Sequence, residues 1–397
     1  MTTHPHLLLL THSYTPEDTA PQRRWSSFIQ ELTAAGYRVT VVAPEPRKDH
    51  RSWGTDMGDY GETIVRVPGA QSAKTRTGRL MNNVLGSLAS VPRALAVRNV
   101  DLVIGTVPAL TTASVGLLVA KLKRRPFILD MRDAWPDLAH DAQLPRSLLR
   151  STMEAVLQYC QRAADTVITV TEGFGQALTQ RGVGNVVCVP NGLTTMEPKV
   201  ETHPGILRQP ALQVLYVGNH GESQGLDIIL SAAALAGDKV FLTMVGEGTQ
   251  KMALQEYAKE LNAPVEFVDQ VTAGQLCNYY ENADTAVVSL RPDWSSFRWT
   301  IPSKTYELLG IGRRLTAMVR GEAADLVQRF QPDSVVPAEP AAIAEYWVEL
   351  ADHPERLVVD DCAERLGDHL PATRVNALKT TLEKLLNRTK SRSLSSA

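Results

Sequence analysis

The feature that most constrains this chain is a rhythm. Short apolar runs alternate with stretches of helical period, stop at a proline-rich segment, and start again. That alternation is the pattern of βαβ units, whose parallel strands lie buried between helices. In the first half, residues 7–10, 39–42, 64–67, 102–104, 127–129, 167–170 and 186–189 read as strands. Helices fit between them at 21–35, 80–98, 110–123, 147–162 and 173–180, and a polar loop runs through Trp53 and Gly61. Residues 194–210 break the rhythm with Pro198, Pro204, Gly205 and Pro210, and read as a linker. Strands then return at 214–217, 240–245, 265–268, 285–289 and 315–319, with helices at 227–236, 250–261, 273–281, 303–309 and 322–330.

The prediction is an α/β chain of two Rossmann-like domains facing a cleft, at 1–195 and 205–370. A chain of 397 residues is long enough for two domains. After Pro371, Leu378, Leu382, Leu385 and Leu386 place a last helix over 374–386, expected to return to the first domain. The polar tail after Asn387, to 397, is expected to be disordered. In such sheets ligands bind outside the carboxyl ends of the strands, so the turns that follow strands are where chemistry is sought.

Composition narrows the function classes. A net charge of −2 gives no pull toward nucleic acid. Cys160, Cys188, Cys277 and Cys362 are scattered without a Cys-x-x-Cys pair, so neither a disulfide framework nor a metal site is indicated, and none is expected. Residues 7–10 are too few and lack the basic flank of a leader. No run reaches the roughly 18 apolar residues of a membrane span. The longest apolar region, 109–122, reads as a buried helix. The expected location is the cytoplasm.

Two strand-to-helix turns in the second half share one logic. Tyr216-Val217-Gly218-Asn219-His220-Gly221 is a strand running into a glycine turn, and Gly246-Glu247-Gly248 repeats the pattern. Free backbone N–H groups at such turns suit a phosphate. Pro302-Ser303-Lys304 opens a helix on which Glu307 shares the face of Lys304. Ser303 reads as the N-cap. The lysine suits a diphosphate and the glutamate suits sugar hydroxyls, although alone the pair reads more readily as a surface ion pair.

In the first half, Asp130-Met131-Arg132-Asp133-Ala134-Trp135-Pro136-Asp137 follows a strand with three acids, an arginine and a tryptophan. The bland alternative is a charged loop around a packed tryptophan. The turn from His12-Ser13-Tyr14 to Arg23-Arg24-Trp25 is polar and basic. Two arginines at a helix start oppose the preference for acids there, which points to a bound anion. The stretch Lys74, Arg76, Arg79, Leu80, Val84, Leu85, Leu88, Val91 is basic and then apolar at helical spacing. It suits either an anionic membrane surface or a packed helix with a solvated start.

Over 7–386 these elements, in this order, resemble the retaining GT-B glycosyltransferases of glycosyltransferase family 4. Arg38-Val39-Thr40-Val41-Val42 and Val189-Pro190-Asn191-Gly192 belong to the likeness. The Arg-Asp-x-Trp-Pro and Pro-Ser-Lys elements are similar to the branch that makes bacterial surface polysaccharides, with N-acetylfucosaminyl and amino-sugar transferases. The resemblance implies a hexosyl or N-acetylhexosaminyl transferase using a nucleotide sugar, UDP-linked, as substrate rather than a cofactor. It places acceptor binding in the first domain, with Tyr14, Arg23, Arg24 and Trp135 as contacts, and donor binding in the second. Donor contacts fall on Gly218, Asn219, Gly221, Gly246, Glu247, Arg298, Ser303, Lys304 and Glu307, with the base near 268–271. Asp133, Arg132 and Lys304 are the implied catalytic residues.

The acceptor implied is a glycan, a lipid-linked sugar or a small molecule, with peripheral contact at the inner membrane face. The family's paired glutamates are incomplete, since Trp299 holds the first position. Its usual arginine and lysine are Asn219 and Gln224 here. Arg298 with Lys304 is the expected substitute charge. A non-hydrolysing nucleotide-sugar epimerase, or an inactive nucleotide-sugar-binding protein, is the alternative on the same fold.

Overall fold

The computed structural model describes residues 4–17, 19–45, 55–68, 76–107, 110–143, 147–193, 200–201, 203–359 and 364–395. The first sheet contains β1 (His6–Leu10), β2 (Arg38–Pro44), β3 (Thr55–Met57), β4 (Thr63–Val67), β5 (Leu102–Val107), β6 (Phe127–Met131), β7 (Thr166–Thr169) and β8 (Val186–Cys188). Its order is β3-β4-β2-β1-β5-β6-β7-β8, and only β3 runs antiparallel to its neighbour. The second sheet contains β9 (Leu212–Val217), β10 (Val240–Val245), β11 (Val265–Val268), β12 (Thr285–Ser289) and β13 (Arg314–Met318), in the order β11-β10-β9-β12-β13, all parallel. Both are Rossmann-like. Their strand order reverses between β1 and β5 and between β9 and β12, the places where such sheets bind ligands.

Helices form where the sequence supplies both an apolar face and an end. Ala20–Ala34 starts at Thr19, whose hydroxyl accepts from the Gln22 N–H at 3.4 Å, with proline in the first turn. It buries Trp25, Phe28, Ile29 and Leu32. Val375, Leu378, Leu382, Leu385 and Leu386 of the last helix join that same core.

The chain divides into two compact units, Met1–Pro136 with Pro145–Thr194 and Pro371–Ala397, and Asp137–Leu144 with Thr195–Leu370. The expected first domain ran unbroken to 195. Instead the short helix Asp137–Asp141 groups with the second unit. The Asp141 carboxylate there accepts from the Ser295 hydroxyl at 3.1 Å and the Ser296 N–H at 2.8 Å.

Three more expectations are corrected. The last helix does not stop near 386 but runs over Pro371–Ser395, taking in most of the tail expected to be disordered. The polar loop before Gly61 contains the short edge strand β3. The apolar stretch at 109–122 forms helix Leu110–Lys123, but Leu118 and Leu122 are exposed. Lys74, which opened the membrane-docking stretch, lies outside the described residues, as do the side chains of Arg76, Arg79, Leu80, Val84 and Leu85. No described helix is long and apolar enough to cross a membrane.

Candidate functional site

In the second unit the turn after β9 and the turn after β10 touch. Gly246 has φ +143°, and a Cβ there would lie 1.9 Å from the Gly218 carbonyl oxygen, so only glycine fits. The Tyr216 hydroxyl donates to the Asn219 carbonyl at 2.8 Å and holds the first turn. The Asn219 and Gln224 amides lean together at 3.5 Å over Gly221, whose missing Cβ would lie 2.4 Å from Asn219 Nδ2. A neutral amide pair thus stands where the resembling family carries two cations.

Helix Ser303–Gly310 brings the expected lysine and glutamate together. Lys304 Nζ donates to both Glu307 oxygens at 2.8 Å and to the Tyr280 hydroxyl at 2.8 Å. The Tyr280 hydroxyl donates to Glu307 Oε1 at 2.6 Å. Tyr280 is fully buried and Glu307 is buried, so this is no surface ion pair. A carboxylate held by charged and neutral donors inside a protein is a strong, oriented acceptor. Ser303 is the exposed first residue of this helix rather than its cap. Pro302 takes the cap position, without a side-chain hydrogen bond.

Arg298 is exposed, donates to the Ser295 carbonyl at 3.0 Å and lies 5.3 Å over the Trp299 ring. Glu247 pairs with Lys251 at 2.9 Å, and Lys251 also reaches Asp269. Arg291, which sequence reasoning missed, donates to the Glu222 carbonyl at 2.8 Å and to Asp227 at 3.4 Å. Its backbone N–H also donates to the Ser223 carbonyl at 2.8 Å, so it ties the segment after the glycine turn to the end of β12.

His220 is the odd member of this turn. It is fully buried against Tyr216 and Phe267, and neither ring nitrogen has a hydrogen-bond partner among the described residues. Burial lowers its imidazole to about 4, with Lys251 adding and Glu247 opposing. The unfolded ring titrates near 6.5, so between these values the unfolded chain binds a proton that the native chain rejects. Its share of stability is therefore full above pH ~6.5 and is lost as pH falls toward 4. His220→Leu is expected to raise stability by about 1–3 kcal/mol at pH 7, by removing an unsatisfied polar ring. The gain should widen at pH 5.5, read from urea unfolding at both pH values. A variant less stable than the parent at both would refute this account.

In the first unit the sequence-predicted residues separate. Tyr14, expected to meet the acceptor, is core: it is buried, and its hydroxyl donates to Glu62 at 2.7 Å. Burial, reinforced by Glu62, pushes the phenol above its usual range. Arg24, expected to hold an external anion, is buried with an internal one. Its Nη2 lies 3.3 Å from Asp130, whose other oxygen accepts from Trp25 Nε1 at 3.0 Å. Arg24 also donates to the Val189 and Pro190 carbonyls at 2.8 and 2.9 Å. Arg23 is half-buried on the same helix.

Arg132, Asp133 and Trp135 follow β6 and stay partly accessible. Arg132 Nε donates to the Val107 carbonyl at 3.3 Å, linking the ends of β5 and β6. Burial pushes the Asp133 carboxyl up, against Arg132 and helped by Asp130. His12, after β1, was noticed in the sequence but given no role. Its Nδ1 is buried without a partner among the described residues, and burial together with Arg132 lowers the ring to about 4. A neutral imidazole, a guanidinium and a carboxyl raised toward its protonated form thus follow β1 and β6, the two strands that flank β5. Such groups can orient a hydroxyl and accept its hydrogen bond. Among the described residues no three His, Cys, Asp or Glu side chains are grouped to hold a metal.

Comparison with known proteins gives one family match in each half of the chain. Residues 19–192 match the glycosyl transferase 4-like domain, and residues 204–292 match the glycosyl transferases group 1. The second match ends before Lys304 and Glu307. Over 375 residues the chain is 24% identical to WcaI of Escherichia coli (strain K12), which bears the name of a colanic acid biosynthesis glycosyl transferase, covering 85% of this chain and 89% of that protein. Among solved structures, sucrose-phosphate synthase (tll1590) from Thermosynechococcus elongatus is similar with a TM-score of 0.68 at 16% identity, covering 99% of this chain and 100% of that one. Anabaena Alr3699/HepE, solved in complex with UDP and glucose, is similar with a TM-score of 0.65 at 16% identity, with the same coverage. The fold is that of the GT-B glycosyltransferases, and the two domain matches mark the chain as a glycosyltransferase.

Proposed function

We propose that this chain transfers a sugar from a UDP-linked donor to a glycan or lipid-linked acceptor in cell-surface polysaccharide synthesis, with retention at the sugar carbon. The observation that carries this is the cluster of Lys304 and Glu307, on the helix that packs against β12 and β13, with Tyr280 of helix Ala273–Asn282. Glu307 is the acceptor for the ribose hydroxyls. Lys304, reaching it from the first turn of the helix, exchanges part of that contact for the diphosphate. The Gly218 and His220 N–H groups donate to the Val245 and Glu247 carbonyls at 3.0 and 2.8 Å, so the N–H groups of Asn219 and Gly221, with the Asn219 amide, complete the phosphate cradle. The naming of WcaI supports a polysaccharide product, and the UDP and glucose held by Alr3699/HepE support the donor class.

Transfer requires the leaving diphosphate to be neutralised as the sugar becomes oxocarbenium-like. Lys304 supplies that charge, and the departing diphosphate itself accepts the acceptor proton. Asp133, Arg132 and Trp135 orient the acceptor hydroxyl. The two glycosyl transferase matches favour transfer over epimerisation or binding alone.

Calorimetric titration with UDP tests the donor assignment. Glu307→Ala and Lys304→Ala are each expected to weaken binding by about 1–3 kcal/mol, as for hydrogen bonds to charged groups. Parent affinity in both variants would remove the assignment. UDP release from a nucleotide sugar that proceeds equally without any acceptor would remove transfer as the activity.

A further inference from the structure

One face of the second sheet is not built like the other. Side chains alternate across a strand. Leu212, Val214 and Tyr216 of β9 and Val240, Leu242 and Met244 of β10 enter the core under helices Leu226–Ala236, Lys251–Leu261 and Pro340–Asp352. A parallel sheet normally hides its second face in the same way, and its strands then read as continuous apolar runs. Here the alternate positions include the buried Leu215 and Val245, but also Gln213, Phe241, Thr243 and Glu266. Phe241 is 37% exposed, and Glu266 is exposed. Helix Ala273–Asn282 covers only one side of this face. A cavity of about 690 Å3 remains between the sheet and that helix, lined by Gln213, Phe241, Thr243 and Glu266 with Asn278 and Tyr279.

The lining selects a ligand class. The volume lies within the roughly 300–1,000 Å3 of sites that bury a ligand of a few rings. Gln213, whose amide nitrogen also holds the Ala211 carbonyl at 2.8 Å, and Asn278 each carry an amide, a group that both donates and accepts and so matches a neighbouring pair of hydroxyls. Phe241 and Tyr279 present aromatic surface, and tyrosine adds a polar tip. Of these six residues only Glu266 is charged, and it is negative, which disfavours phosphate and nucleotide. Apolar surface with uncharged hydrogen-bonding groups fits an uncharged polyhydroxylated ring.

We propose that this cavity is a second carbohydrate site, which binds a neutral oligosaccharide independently of the donor. It does not rest on the donor assignment: Lys304, Glu307 and the Gly218 turn form no part of its wall, and of the region expected for the base only Val271 borders it. In a glycosyltransferase such a site holds a glycan near the enzyme between transfers.

The test is a binding screen of the full chain, saturated with UDP, against neutral glucan, mannan and galactan hexasaccharides. At least one is expected to bind, and Tyr279→Ala and Gln213→Ala are each expected to weaken it at least tenfold. Melting temperature confirms that each variant folds, and UDP affinity should stay at the parent value in both. Absence of binding by every hexasaccharide overturns the proposal. So does binding unchanged by both variants, competition by UDP, or a concentration-dependent dimer that either variant abolishes.

Discussion

Arg24→Ala is expected to destabilise the first unit by about 3–5 kcal/mol, the cost of stripping one partner from a buried ion pair. The Asp130 carboxylate has no solvent exposure, and Arg24 is 3% exposed. Truncation leaves the carboxylate with Trp25 Nε1 as its remaining hydrogen-bond donor among the described residues, and without its counter-charge. It also frees the Val189 carbonyl, takes one of two donors from the Pro190 carbonyl, and removes the guanidinium lying 4.8 Å over Phe28. Those contacts tie helix Ala20–Ala34 to the segment after β8. Arg374 of the last helix donates to the same Pro190 carbonyl at 2.9 Å. Loss should therefore spread to the docking of helix Pro371–Ser395. Hydrogen exchange would report faster opening in both helices, and chemical unfolding an earlier first transition. Arg24→Met with Asp130→Leu removes both charges together and should recover much of the loss. A single Arg24→Ala variant that unfolds with the parent would sink this reading.

This pair also marks the limit of what the sequence tells. The two arginines at a helix start do signal an anion, and the anion is Asp130, more than a hundred residues along the chain. Nothing local distinguishes an internal carboxylate from a ligand phosphate. Tyr14 fails for the same reason, since its partner Glu62 belongs to a different βα unit. The strands were legible because burial on both faces forces apolar runs. Lys304 and Glu307 were legible because three residues along a helix is a fixed geometry; their buried setting depends on Tyr280, which local spacing does not reveal. Helix Pro340–Asp352 was missed although its signal is present: Pro340 starts it, and Ile343, Trp347 and Leu350 share one face. The grouping of Asp137–Asp141 with the second unit rests on hydrogen bonds to Ser295 and Ser296, beyond any local pattern.

Asp133→Asn is expected to lower turnover by about 10²-fold, the scale of misplacing a reacting group, while UDP affinity stays at the parent value. The residue follows β6 and belongs to the unit without the glycine turns, so it has no part in the donor contacts proposed for the second. Its carboxyl is raised above the usual carboxylate range by burial, with Arg132 opposing and Asp130 adding. The ionised form is the one that accepts a hydrogen bond from an acceptor hydroxyl. Activity should therefore fall as pH drops through this raised value, and the acidic limb should disappear from the residual activity of the Asn variant. Loss of the limb in the Asn variant assigns it to Asp133 rather than to His12, whose ring is lowered to about 4. An equal fall in turnover and in UDP binding would move Asp133 to the donor side. Parent turnover would make the whole Asp130–Asp137 loop a structural feature, its charges serving Arg24, Trp25 and the end of β5. The split between turnover and UDP affinity separates these outcomes, since a merely destabilised variant loses both as the temperature rises.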